Sequence, residues 1–125
     1  MSHTILVVDD EVDVRRFLTA VLEKRGFEVV TAEDGRQAYA LTERQRPDLI
    51  VLDLQMPNQS GTDFYRRLMK HDELREIPIV VVSGLAGRHL AVRNPFAVFD
   101  KPIDPDEFGD TVERALGVGT GQGLS

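Results

Sequence analysis

Carboxylates, a hydroxyl and an amine stand at the ends of apolar runs in this chain. Asp9, Asp10 and Glu11 follow "ILVV", Asp53 follows "LIVL", Ser83 follows "IVVV", and Lys101 comes just after "FAVF". Neighbouring carboxylates repel and raise one another's pKa values, so the group calls for a counter-cation: Lys101, a metal, or both. A hard divalent ion suits such donors. Mg²⁺ in particular takes one or two carboxylates, carbonyls, waters and a phosphate oxygen, with no need for an all-protein cage. A carboxylate beside such an ion can attack a phosphoryl donor, with the new charge met by the metal, Lys101 and the Ser83 hydroxyl. The chemistry expected is phosphoryl transfer onto an aspartate.

These groups meet only if the runs that carry them lie side by side. "ILVV" (Ile5 to Val8), "LIVL" (Leu49 to Leu52), "IVVV" (Ile79 to Val82) and the weaker "FAVF" (Phe96 to Phe99) have the length and continuity of strands buried on both faces, as in a parallel sheet. "FEVVTA", from Phe27, alternates more and suits a strand nearer an edge. Between the runs, Val14, Phe17, Leu18, Val21 and Leu22 mark one face of a helix that Gly26 stops. Weaker patterns through Ala38, Leu41 and Gln45, and through Phe64 and Leu68, end before Pro47 and Pro78. Asp104, Pro105 and Glu107 read as N-cap, first residue and N3 of a last helix that buries Phe108, Val112, Ala115 and Leu116.

Alternating strands and helices with short connections imply an α/β fold: a five-stranded, doubly wound parallel sheet with helices on both faces. Such sheets bind ligands outside the carboxyl ends of their strands, which is where the reactive groups stand.

The 125 residues suit one domain and leave no room for a second catalytic one. A formal net charge of −6 disfavours direct binding to nucleic acid or to an anionic membrane. Without cysteine there is neither a disulfide framework nor a thiolate metal site. Neither a signal peptide nor a membrane-length apolar run is present, so a cytoplasmic location is expected. The domain is expected over residues 1–117, with the glycine-rich "VGTGQGLS" at 118–125 as a flexible tail.

"VVDDE", "IVLDLQMPNQSG", "IVVVSG" and "FDKPID" resemble, in order and spacing, the motifs of the response-regulator receiver domain of two-component signalling. The likeness runs from about Thr4 to Leu116. It implies a flavodoxin-like fold and a cis peptide before Pro102. It also implies Asp53 as phosphoacceptor, Asp9 and Asp10 as the acidic pair for Mg²⁺, and the Gln55 backbone carbonyl as a further ligand. Ser83 and Lys101 would contact the phosphoryl oxygens. The donor would be a histidine kinase or histidine phosphotransfer protein, and the chain a monomer or weak dimer that catalyses only its own phosphorylation and dephosphorylation.

Several residues also have plainer readings. Asp10 can cap the first helix, and Glu11 reads as a first-turn charge favoured by the helix dipole rather than as a ligand. His3, His71 and His89 lack ligand spacing and read as solvated surface. Arg88, His89 and Arg93 read as a solvated basic face, contact with an acidic partner being the alternative. The sequence also departs from the family. Val98 stands where receivers carry a Tyr or Phe switch, and alternation puts Phe99 on the opposite face, so Phe96 and Phe99 are expected to serve packing. "GLAGRHLAVRNP" is short, which implies a brief or irregular fourth helix and keeps open a phosphorylation-independent binding module. The acidic first loop argues against a flavin or nicotinamide enzyme. The lack of Asp-x-Asp at Asp53 argues against a dehalogenase-type phosphatase.

Overall fold

A computed structural model describes residues 3–83 and 92–118, with Gln59 described by its backbone alone. The elements run β1 (Thr4–Val8), α1 (Val12–Lys24), β2 (Glu28–Ala32), α2 (Gly35–Gln45), β3 (Leu49–Asp53), α3 (Ser60–Met69), β4 (Ile79–Ser83), β5 (Ala97–Asp100) and α4 (Pro105–Leu116). Short 3₁₀ turns, Pro57–Gln59 and Leu74–Glu76, flank α3. All strand pairs are parallel, in the order β2-β1-β3-β4-β5, as expected for a flavodoxin-like sheet.

Period-two alternation divides the apolar residues between two layers. Leu6, Val8, Ile50, Leu52 and Val81 face α2 and α3, with Ala38, Phe64 and Leu68 packed against them. Ile5, Val7, Leu49, Val51, Val80 and Val82 face α1 and α4, where they meet Leu18, Leu22, Phe108 and Val112. β1, β3 and β4 are therefore covered on both faces, which is why their sequences do not alternate.

β2 is an edge strand, as its alternation implies. β5 is the other edge, and here the expectation fails in part: "FAVF" was expected to be buried on both faces, but Phe96 is 46% exposed and Val98 38%. Phe99, on the opposite face, is buried and packs edge-on against Phe108 with ring centroids 5.5 Å apart. The packing role expected for both aromatics thus holds for Phe99 alone.

Local signals end the helices where expected. Asp104 accepts hydrogen bonds from the Asp106 and Glu107 backbone N–H groups at 2.9 and 3.1 Å. Gly26 takes a φ of 92° just after α1, a region costly for any side chain. Arg25, the C-cap of α1, ties this helix to α4 through Asp110 at 2.8 Å and Glu113 at 3.3 Å. The brief fourth helix expected between β4 and β5 falls largely on residues 84–91, outside the described residues, as do His89, Arg88 and the tail beyond Val118.

Candidate functional site

Order reverses between β1 and β3, and the carboxyl ends of those strands deliver Asp9 and Asp53, each only 1% exposed. Asp9 is the first residue after β1. Its Oδ1 accepts from the Glu11 backbone N–H at 2.9 Å, and its carbonyl accepts from Arg15 Nη1 at 2.7 Å. Asp53 closes β3, and its Oδ1 accepts from the Gln55 backbone N–H at 2.8 Å. Asp53 Oδ2 is buried with no hydrogen-bond partner among the described residues.

Lys101 reaches this rim from the loop after β5. Its Nζ lies 3.3 Å from Glu11 Oε1, 3.5 Å from Asp9 Oδ2 and 3.9 Å from Asp53 Oδ2. The Lys101–Pro102 peptide is cis, as the family resemblance implies. Ser83 closes β4, is 2% exposed and pairs in register with Asp100, while its carbonyl accepts from the Lys101 N–H at 3.1 Å. One rim therefore gathers Asp9, Asp10, Asp53, Ser83 and Lys101, with Gln55 two residues beyond Asp53 in the chain.

Burial dominates the electrostatics. It pushes the Asp53 carboxyl up to about 6, with Asp9 and Asp10 adding to the rise, while the Gln55 N–H and Lys101 pull the other way. Asp9 is raised for the same principal reason. Burial works to lower Lys101, but Asp53, Asp9 and Glu11 outweigh it and the amine is raised. One ammonium is thus set against four carboxylates at this rim.

The donor set fits a cation. Asp9, Asp10 and Asp53 each offer a carboxylate oxygen within 4.8 Å of the others, and Asp10 is exposed towards solvent. All three donors are hard oxygens, and Asp53 Oδ2, which has no hydrogen bond among the described residues, belongs to the same carboxylate group.

Two helix-start expectations are corrected. The N-cap position of α1 belongs to Glu11, not Asp10, and no side chain caps it. Glu11 consequently precedes the first turn, and its carboxylate pairs with Lys101 rather than serving only the helix dipole. His71 is exposed, as expected of a surface histidine, and its Nε2 bonds the Tyr39 hydroxyl; His3 is half-buried and packs edge-on against Phe27.

Sequence reasoning missed Arg15, Gly61 and Ser60. Arg15 holds the Asp9 carbonyl across six residues, a spacing with no motif behind it. Gly61 lies in the first turn of α3, where a Cβ would sit 2.6 Å from the Asp53 carbonyl oxygen. Ser60 Oγ accepts from the Gly35 N–H at 2.5 Å, tying the start of α2 to the start of α3. A glycine at the start of a helix was the one visible signal.

The chain matches the family described as the response regulator receiver domain over residues 5–113, and it belongs to that family. Its acidic cluster and its family make it a receiver-type phosphoacceptor domain. It is 33% identical over 116 residues to Protein Rrf1 of Nitratidesulfovibrio vulgaris, covering 93% of this chain and 84% of that protein. It is 32% identical over 121 residues to sporulation initiation phosphotransferase F of Bacillus subtilis, covering 93% and 95%. Among solved structures, a putative response regulator from Chloroflexus aurantiacus superimposes with a TM-score of 0.86 at 27% identity, covering 94% of this chain and 99% of that one. Chemotaxis protein CheY4 of Vibrio cholerae gives 0.83 at 28% identity, covering 93% and 100%. No helix among the described residues is long and apolar enough to cross a membrane.

Proposed function

We propose that Asp53 accepts a phosphoryl group from a phosphohistidine on a histidine kinase or histidine phosphotransfer protein, and that the modified rim changes which proteins the domain binds. The observation that carries this reading is Asp53 Oδ2: buried, without a hydrogen bond among the described residues, and 3.9 Å from an ammonium. In this reaction an Asp53 oxygen attacks phosphorus and forms the P–O bond. The P–N bond breaks, and its electron pair returns to the imidazole, which leaves neutral after taking a proton from solvent.

Asp9, Asp10, Asp53 and the Gln55 carbonyl would hold Mg²⁺, which when bound offsets the negative charge gathered between carboxylates and phosphoryl oxygens. Lys101, fixed by Asp9 and Glu11, stands ready to contact a phosphoryl oxygen, and Ser83 supplies a hydroxyl from the neighbouring strand end. Both act on charge that develops in transfer. Incubation with acetyl phosphate should label the chain only when Mg²⁺ is present, and Asp53→Asn should remove the label. Labelling that persists in that variant overturns the assignment of Asp53.

Val98, partly exposed where the family carries an aromatic, favours a second reading, a receiver-like module whose partner binding ignores phosphorylation. Calorimetry giving the same partner affinity before and after phosphorylation would select it.

A further inference from the structure

At the opposite end of the sheet from Asp53, an open groove of about 670 Å³ runs between the last turn of α3, the approach to β4 and the Arg93–Asn94 backbone. Its size falls within the roughly 300–1,000 Å³ of ordinary binding sites. The floor is apolar: Tyr65 is buried and Met69, Ile77 and Pro78 are half-buried. The far wall is pinned, because the Tyr65 hydroxyl accepts from the Arg93 N–H at 2.9 Å and donates to the Arg93 carbonyl at 3.4 Å.

The walls carry an unexpected charge. Arg66, Lys70, Arg75 and Arg93 line the groove against a single acid, Glu76, on a chain in which acids outnumber bases 21 to 15. Among the described residues Arg66 and Arg75 pair only with exposed carboxylates three residues earlier in sequence, Asp63 at 3.2 Å and Asp72 at 3.4 Å. Lys70 and Arg93 form no ion pair among the described residues. Exposed local pairs are weak, so an incoming carboxylate can displace them.

We infer that this groove is a docking site for an acidic segment of a partner protein, one that lays an apolar side chain on the Met69–Ile77 floor while its carboxylates meet the four cations. Charge complementarity selects the partner's chemistry. The formal charge of −6 opposes a long polyanion, so a short acidic peptide fits better than nucleic acid. β4 begins at Ile79 beside the groove and ends at Ser83 on the phosphoacceptor rim, so the two surfaces are separate and can be engaged together.

The test uses the full chain and fluorescence anisotropy with a labelled peptide of alternating Glu and Leu. Gln/Leu and Lys/Leu peptides and a short single-stranded DNA serve as comparisons. The acidic peptide should bind tightest and weaken as salt rises. Lys70→Glu with Arg93→Glu should reduce its affinity by at least about tenfold. Arg44→Glu, on the exposed side of α2, should leave it unchanged, and acetyl phosphate labelling should match the parent chain in every variant. The inference is overturned if the neutral peptide binds as tightly, if the double variant binds like the parent, or if the DNA is preferred through the same residues.

Discussion

Gly61 packs so closely beneath Asp53 that a Cβ on it would lie 2.6 Å from the Asp53 carbonyl oxygen. The first turn of α3 is thereby fixed against the end of β3 by backbone contact, without any side chain between them.

Gly61→Ala should force α3 and the loop after Asp53 apart. The expected cost is about 1–3 kcal/mol in urea unfolding, with slower acetyl phosphate labelling than in the parent chain. Unchanged stability and labelling would show that the contact relaxes freely.

The Asp53 carboxyl, raised to about 6 by burial, gives stability a definite dependence on pH. Because the raised value favours the neutral form in the fold, the folded chain binds more protons than the unfolded one between about 4 and 6. Stability should therefore fall as pH rises through that window, with the full penalty present above it. Asp53→Asn removes the charge and should stabilise the metal-free chain at neutral pH by roughly 1–3 kcal/mol, with little effect near pH 4. A variant less stable than the parent at neutral pH would contradict this account.

The same reasoning sets the response to metal. At neutral pH, Mg²⁺ at about a hundred times its Kd should stabilise the chain by about 2.7 kcal/mol. Near pH 4, with Asp53 protonated, the thermal midpoint should barely move. Equal shifts at both pH values would place the metal elsewhere.

Lys101→Gln removes the ammonium that faces Asp9, Glu11 and Asp53. Labelling by acetyl phosphate should drop about a hundredfold or more, since the lost charge acts on the transferring group. Mg²⁺ binding, followed by calorimetry, should persist because no metal donor is lost. Loss of both would point to collapse of the rim rather than to a specific role for the amine.

Arg25 lies between α1 and α4 with its side chain 20% exposed, against 10% for Glu113. Arg25→Met keeps much of the packing but strands Glu113, and should cost about 1–3 kcal/mol. Arg75→Met, which breaks only the exposed pair with Asp72, should cost less than about 0.5 kcal/mol. Chemical unfolding of the two variants distinguishes these outcomes.

How much of this was visible in the sequence follows from which interactions are local. β1, β3 and β4 were legible because burial on both faces leaves unbroken apolar runs, and Asp104 announced its helix because a cap acts on the next residues. β5 misled because "FAVF" has the same composition as a covered strand, and only the sheet order makes it an edge. The rim itself was legible because strand ends carry its groups. Its supports were not: Arg15 on the Asp9 carbonyl, Gly61 against Asp53 and Ser60 on Gly35 are contacts of the closed fold, and no periodicity marks them. The groove beside Arg93 was only half visible, since the sequence joined Arg93 to Arg88 and His89, while the fold sets it opposite Lys70 and Arg75.

The parallel register that sets Val8 beside Leu52 has a consequence for the order of events in folding. Asp9 and Asp53 are distant in the chain and feel one another only once β1 has found β3. Their repulsion therefore opposes the docking of this central strand pair. In stopped-flow refolding, a divalent cation held by these carboxylates should speed that closure, which would make the ion's site also an aid to the chain's assembly.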